Sequence, residues 1–162
     1  MRPGHFQGVC TIICKLFNIV QPTHAYFGQK DIQQIKIIEK LTDDLNFPVD
    51  IVTCPTVRDY DGLALSSRNS YLQKNERETA KIIPETLNYI KEQFQNGIRA
   101  SSKLIELATD KITNIKDARI AYIQIVDATN LQPVATIDKK CVLAVAIFIG
   151  KTRLTDNIIL TV

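Results

Sequence analysis

The stretch Ala25–Cys54, AYFGQKDIQQIKIIEKLTDDLNFPVDIVTC, decides the fold of this chain. Ala25–Gly28 reads as a short strand ending in glycine, and Val49–Cys54 reads as a second strand. Between them lies the apolar stripe of an amphipathic helix, with Asp31 placed as its N-cap or first-turn residue; the stripe comprises Ile32, Ile35, Ile38, Leu41 and Leu45. Strand, helix and strand with short connections form a βαβ unit. The two strands should therefore be parallel, with a right-handed crossover.

A second helical pattern precedes the first strand and ends at Pro22. Its apolar stripe comprises Val9, Ile12, Ile13, Leu16, Phe17 and Val20. With Arg2 before it, this segment imitates a secretory signal, but Lys15 interrupts the apolar run and no small-residue cleavage site follows. We therefore predict a cytoplasmic protein.

The second half of the chain predicts helices followed by strands. Lys74–Gln95 is charged with a regular apolar face, but Pro84 should kink or break the helix because proline lacks an amide hydrogen. Asn96-Gly97 is a C-cap signal, and Ser101 or Ser102 should cap the next helix. Three strands then follow, of which the second is apolar on both faces and should be central: Ala118–Val126, Cys141–Gly150 and Asn157–Val162.

These patterns together predict an α/β fold in two parts. A parallel βαβ unit comes first, and a small α+β module with an antiparallel sheet follows, joined by a short hinge near Leu72. The chain has 162 residues, enough for one well-buried domain or two small ones.

The composition excludes several classes of protein. Hydrophobic residues make up 45% and charged residues 23%, which argues against disorder. The formal net charge is +3 without a dense Lys/Arg run, so we predict no nucleic-acid partner. The apolar run Cys141–Ile149 is too short to span a bilayer, so no membrane partner is predicted.

The four cysteines also allow a choice between chemistries. Cys10 and Cys14 have helical i, i+4 spacing, which does not bring two thiols into disulfide geometry easily. They could supply two metal ligands, but no second Cys/His pair with finger-like spacing completes a site. We therefore predict no metal site, and we expect these two cysteines, like Cys54 and Cys141, to be buried, reduced thiols.

Two glycine-bearing loops carry the side chains suited to chemistry. DGLALSSRN, residues Asp61–Asn69, places two hydroxyls beside a guanidinium, a set of donors that can grip phosphate oxygens. An ordinary surface loop also collects Ser, Asn and Gly for turn formation alone. FGQKD, residues Phe27–Asp31, puts Lys30 at a helix N-terminus that favours anions, although a capped helix with a solvated lysine explains it equally. Both loops follow the carboxyl ends of parallel strands, where open α/β sheets bind ligands.

The order of these motifs resembles the pantothenate synthetase (pantoate–β-alanine ligase) family. The matching strings, which run from Arg2 to Asn157, are RPGHFQGVCTIICKLFNIVQP, FGQKDIQQ, DGLALSSRN and TRLTDN. The resemblance implies a partial Rossmann-type nucleotide-binding domain at residues 1–71 and a smaller α+β lid domain at residues 72–162. It also implies that ATP and pantoate form a pantoyl adenylate and pyrophosphate. β-Alanine then displaces AMP to give pantothenate, and Mg²⁺ accompanies the ATP.

The resemblance also carries residue roles. The first ATP-binding segment corresponds to Gly28, Gln29, Lys30 and Asp31, and the second to Leu65, Ser66, Ser67 and Arg68. Val57 would line the adenine pocket and Gln34 would hold pantoate. Lys30 would neutralise phosphate charge and Arg68 would clamp the triphosphate, so the expected catalytic set is Lys30, Ser66, Ser67 and Arg68. Arg2 and His5 should lie near the active site, with roles left open.

The chain departs from the family pattern at its N-terminus. The family has a long portion before RPGHF with a HIGH-like histidine motif, and His5 and His24 do not form that motif. We expect a fragment that is inactive alone, produced at an expression boundary or by a split gene. Loss of the preceding strands should expose a sheet edge and the apolar stripe that ends at Val20, so the chain should self-associate, swap elements or rearrange. The resemblance implies a homodimer for the full family.

Two other functions remain open. Phosphate-binding loops alone do not define the acceptor, so a nucleotidylyltransferase of the same superfamily is the second enzymatic interpretation. The third interpretation is a folded lid and oligomerisation module without a ligand of its own, which the missing histidine motif favours for this chain.

Overall fold

A computed structural model of the protein describes residues 4–162. The chain divides into two compact units, of which the first ends at Thr56 and the second is Val57–Val162. The loop at residues 57–71 therefore belongs to the second compact unit. The predicted boundary between the family's two domains, at 71/72, stays a prediction.

The first unit contains the predicted parallel βαβ element. Its elements are α1 (His5–Val20), β1 (His24–Gly28), a 3₁₀ turn (Gln29–Asp31), α2 (Ile32–Asp44) and β2 (Asp50–Cys54). The strands pair in parallel from His24 opposite Asp50 to Gly28 opposite Cys54. Both strands therefore end at the same edge of this sheet, as the sequence predicts.

The core of this unit is small, and α1 contributes less to it than its stripe predicts. Phe17, Ile38 and Val49 are buried together, and the Phe17 and Phe47 rings meet edge to face at 5.6 Å. The rest of the stripe is partly or largely exposed, with Ile12 at 57%, Leu16 at 47% and Val20 at 63% of full exposure. The periodicity predicts the helix correctly, but periodicity does not say which residues find a neighbour.

The second unit is an α+β module with a three-stranded antiparallel sheet. Its elements after the loop are α3 (Lys74–Ala80), α4 (Ile82–Gln95), α5 (Ser101–Thr113), β3 (Ala118–Asp127), β4 (Cys141–Ile149) and β5 (Thr152–Leu160). The strand order is β3-β4-β5, so the strand predicted to be central is central. Its residues Leu143, Val145 and Ile147 are buried against the helices, which places the main core here. The predicted fold class is confirmed.

The long charged segment breaks into two helices at Lys81. Pro84 stands in the first turn of α4, and its ring would clash with the carbonyl of Ala80, four residues earlier. The helix ends at Gln95, its C-cap is Asn96, and Gly97 has a φ of +100°, as the C-cap signal predicts.

Three local predictions are wrong. The N-cap of α5 is Ala100, because Ser101 is drawn into the core, with 4% exposure, and its Oγ caps nothing. Strand β5 begins at Thr152 rather than Asn157, because antiparallel pairing with β4 extends to its polar end. All four cysteines are free thiols as predicted, but within the described residues only Cys141 is buried, where burial raises the pKa of its thiol.

Candidate active site

The predicted site residues of the first unit follow the C-terminal end of β1. Gly28 ends the strand, Lys30 lies in the 3₁₀ turn, and Asp31 occupies the N-cap position of α2. The Asp31 side chain makes no capping hydrogen bond; its carboxylate lies 3.7 Å from the Lys30 ammonium. The Lys30 side chain is only 14% exposed, and Lys30 directly precedes the N-cap residue of α2.

Gly28 has no conformational reason to be glycine. Its φ is −74° and its ψ is 129°, an extended conformation that any residue adopts. A Cβ built on Gly28 would meet no atom within 4 Å. The space in front of this backbone is therefore open for the close approach of a ligand.

A cleft of about 670 Å³ lies between α1 and α2. Gln34 of α2 lines it, opposite His5, Gly8 and Ile12 of α1. The wall of the cleft is mostly apolar, and Gln34 and His5 supply polar groups, an arrangement typical of pockets for small ligands. The structure thus brings together His5 and Gln34, two of the predicted site residues. Arg2 lies outside the described residues.

The predicted site residues of the second unit lie in the loop that begins at Val57. The amide of Leu65 donates to the carbonyl of Val57 at 2.9 Å, so these two residues are neighbours. Their side chains are 51% and 65% exposed, respectively, which is unusual for apolar residues of this size. They present an apolar surface of the kind that an adenine ring could contact.

Ser66 begins a 3₁₀ turn, Ser67–Tyr71, that displays the remaining predicted residues. The Ser66 hydroxyl accepts a hydrogen bond from the amide of Arg68 at 3.3 Å. The Ser67 and Arg68 side chains are exposed. Ser66 therefore serves the turn itself, while Ser67 and Arg68 are presented outward.

The same nine-residue string also contains residues that only hold the loop together. Asn69 is 8% exposed, and its side-chain amide donates to the carbonyl of Ala64 at 3.1 Å. The side chain of Asp61 is 2% exposed and accepts a hydrogen bond from Arg77 Nε at 2.7 Å. Sequence reasoning missed Arg58 and Arg77, which lie outside the string and bind the Gly62 carbonyl and the Asp61 carboxylate, and Asp156, which accepts hydrogen bonds from Arg58.

Comparisons with known proteins identify the family of the chain. The family model described as pantoate-beta-alanine ligase matches residues 1–159. Pantothenate synthetase of Clostridium novyi is 51% identical over 158 residues, covering 98% of this chain and 56% of the relative. That of Sulfurihydrogenibium is also 51% identical over 158 residues, covering 97% and 56%. The chain spans about half the length of the curated relatives it matches.

Solved structures give the same picture. Pantothenate synthetase from Thermus thermophilus superposes with a TM-score of 0.92 at 38% identity, over 97% of this chain and 56% of that one. The Francisella tularensis ligase, solved in complex with β-γ ATP and β-alanine, has a TM-score of 0.67 at 34% identity, over 97% and 51%. No helix in residues 4–162 is long and apolar enough to cross a membrane.

Proposed function

The chain belongs to the pantoate–β-alanine ligase family, and we propose that its residues serve the ATP-dependent condensation of pantoate with β-alanine. In the first step a pantoate carboxylate oxygen attacks the α-phosphorus of ATP, and the bond to the β-phosphate breaks to release pyrophosphate. In the second step the β-alanine amine attacks the acyl carbon, loses a proton and displaces AMP. The observation that carries the proposal is the cleft lined by Gln34, which stands on α2 four residues after Lys30 of the 3₁₀ turn.

In the first unit the proposed roles are binding and charge neutralisation. The backbone from Gly28 to Asp31 would approach the phosphates, since a Cβ at Gly28 would point into open space. Lys30 would stabilise the negative charge that develops on pyrophosphate as it leaves. Gln34 would donate to and accept from pantoate inside the cleft, with His5 on the opposite wall.

In the second unit the proposed roles are nucleotide recognition. Val57 and Leu65 would contact the adenine, and both are exposed as that role requires. Ser67 would donate to a phosphate oxygen, and Ser66 would hold the turn that presents it. Arg68 would pair with the triphosphate, because a guanidinium matches phosphate geometry with two parallel hydrogen bonds.

Mg²⁺ would reach the site with ATP rather than as a resident ion. Among residues 4–162 no three His, Cys, Asp or Glu side chains are grouped to hold a metal. Mg²⁺ in such sites is bound largely by substrate phosphates and water, with one or two carboxylates. No step proposed here depends on a protein-held metal.

We further propose that this 162-residue chain binds ATP but does not complete the condensation alone, because it spans about half the length of its relatives. The test is calorimetric titration of the chain with Mg²⁺ and ATP, beside an assay for pantothenate and AMP. Arg68→Gln should weaken ATP binding by about tenfold to a hundredfold, the value of a lost charge-assisted hydrogen bond. The matched control is Lys103→Gln, an exposed cation paired with Glu106 on α5.

The outcomes separate the candidate functions. Saturable ATP binding that is weakened by Arg68→Gln but not by Lys103→Gln supports the nucleotide site. No saturable binding would favour a non-catalytic lid and oligomerisation module. Formation of pantothenate by the purified chain would contradict the proposed inactivity. Turnover that transfers the nucleotide to an acceptor other than pantoate would favour a nucleotidylyltransferase.

A further inference from the structure

Two arginine–carboxylate clamps hold the turn that precedes the exposed site residues. The first clamp comes from Arg77 of α3. Its Nη2 donates to Asp59 Oδ2 at 2.6 Å and its Nε donates to Asp61 Oδ2 at 2.7 Å. The hydrogen bond from Arg77, followed by one from the amide of Tyr60, holds the pKa of Asp59 below its ordinary value. One side chain thus fixes two carboxylates of the turn.

The second clamp joins the turn to β5, 98 residues further along the chain. Arg58 donates through Nη1 to Asp156 Oδ2 at 2.7 Å and through Nη2 to Oδ1 at 3.2 Å. The Asp156 side chain is 2% exposed, and its Oδ1 also accepts the amide of Asn157 at 2.8 Å. Arg58 Nη1 donates in addition to the carbonyl of Gly62 at 3.0 Å. Because the two hydrogen bonds fix the plane of the guanidinium, the Asp156 carboxylate orients the Arg58 side chain as well as attracting its charge.

The clamped segment is the base from which the site residues project. The amide of Asp59 donates to the carbonyl of Leu63 at 2.8 Å, and Gly62 turns the chain with a φ of +84°. Arg58 and Ala64 form an antiparallel bridge, and the next residue is Leu65. A shift of this turn would therefore displace Leu65 and the 3₁₀ turn that follows it.

Energetics favour a geometric role for the clamps over a purely stabilising one. Removing a carboxylate such as Asp156 from water costs free energy that its partners largely offset, so a buried ion pair is weak evidence for stability. An apolar pair of the same volume could fill the same space. Hydrogen bonds are directional, whereas apolar contacts are not. The two arginine–carboxylate clamps therefore favour one arrangement of the turn.

We propose that Arg77 and Asp156 are positioning residues of the nucleotide site. They hold the turn at residues 58–64 in one conformation. Leu65, Ser67 and Arg68 are therefore already in position when ATP binds, and the loop does not have to become ordered first. This inference rests on the proposed function, because it assigns a role to groups behind the segment that would contact ATP. Neither side chain is proposed to touch the nucleotide.

The test combines two measurements on the full chain. The variants are Arg77→Gln, Arg77→Lys and Asp156→Asn, and the control is Arg153→Gln, which removes an exposed guanidinium from the same strand as Asp156. The first measurement is the rate of tryptic cleavage after Arg68, followed by mass spectrometry. The second is the ATP titration, with far-UV circular dichroism and a urea midpoint as checks on the global fold.

We expect Arg77→Gln and Asp156→Asn each to raise cleavage after Arg68 and to weaken ATP binding by about tenfold or more, the effect of losing a charge-assisted hydrogen bond. Each substitution leaves one charge of a buried ion pair without its partner, so the urea midpoint should also fall. Cleavage and binding are therefore compared without urea, where the circular dichroism spectrum shows that each variant is folded. Arg77→Lys should recover only part of the lost ATP affinity, because an ammonium keeps the positive charge but lacks the planar fork that reaches both carboxylates. The Arg153→Gln control should behave as the wild type.

The failures of the two proposals are distinguishable. If the wild type shows no saturable ATP binding, the proposed function is overturned, and the positioning role falls with it even if cleavage after Arg68 increases. If the wild type binds ATP and the Arg77→Gln variant keeps both wild-type affinity and wild-type cleavage, the clamps position nothing. Faster cleavage with unchanged affinity would also overturn the inference. If Asp156→Asn unfolds, the Arg77 variants decide the question.

Discussion

Asn69→Ala should destabilise the second unit, although Asn69 stands directly beside the exposed Arg68. The Asn69 side chain donates to the carbonyl of Ala64 at 3.1 Å, and the two residues are 8% and 7% exposed. Alanine leaves this buried carbonyl without its side-chain donor, which costs about 1–3 kcal/mol. Arg68→Gln changes an exposed side chain, so the free energy of unfolding should change by no more than about 0.5 kcal/mol.

The assay is urea denaturation followed by circular dichroism, with hydrogen exchange of β4 peptides assigning the transition to the second unit. With a typical m-value, the Asn69→Ala midpoint should fall by roughly 1 M urea. Arg68→Gln is the matched control, since it lies one residue away. An Asn69→Ala midpoint within error of that of Arg68→Gln would refute the reasoning, because the buried hydrogen bond would then contribute nothing measurable.

Three further predictions concern other parts of the chain. The exposed side chains of Leu16 and Ile19 on α1 should drive self-association, so replacing both with lysine should weaken it by at least about tenfold in sedimentation equilibrium, while Asn18→Lys should not. Gly8→Ala should raise the free energy of unfolding by about 0.5–1 kcal/mol, because alanine favours the helix and its Cβ meets no atom within 4 Å. The same Cβ should narrow the cleft that Gly8 lines, so pantoate binding should weaken in a titration. The hydrogen bond from Lys139 lowers the pKa of Asp127 to about 2. The stability that Asp127 contributes is therefore present above pH about 4 and lost as the pH falls through about 2, so acid unfolding curves of Asp127→Asn should fall less steeply there.

Each of these three predictions would be contradicted by a specific result. A wild-type chain that stays monomeric at high concentration would show that the apolar face of α1 does not pair. Identical acid limbs for the wild type and Asp127→Asn would show that this carboxylate does not stabilise the fold. For the cleft, unchanged pantoate affinity in Gly8→Ala would place the ligand elsewhere.

The nine-residue string Asp61–Asn69 shows how far the candidate site could be predicted. Its composition predicts a loop with phosphate-binding donors; the Ser67 and Arg68 side chains are exposed, and their binding of phosphate stays a prediction. The string does not reveal that the Asp61 and Asn69 side chains are buried, because polar side chains that bind a ligand and polar side chains that hold a loop together are of the same residue types. Which polar group is buried depends on partners such as Arg77, which lie outside the string.

The sequence by itself determined the types of the local elements. Periodic apolar residues predict α1, α2 and the central strand β4, because helices and strands repeat on fixed local periods. Proline and glycine likewise mark the break before Pro84 and the helix end at Gly97, since their backbone restrictions act within a few residues.

Only the tertiary structure decided which of these residues face a partner. The exposure of much of the α1 stripe, the burial of Ser101 and the pairing of Arg58 with Asp156 all depend on residues distant in sequence. Periodicity measures spacing along one segment, whereas burial and ion pairing release free energy only when separate segments meet. The exposed donors of the candidate site are thus predictable from the string, and the frame that holds them is a property of the folded chain.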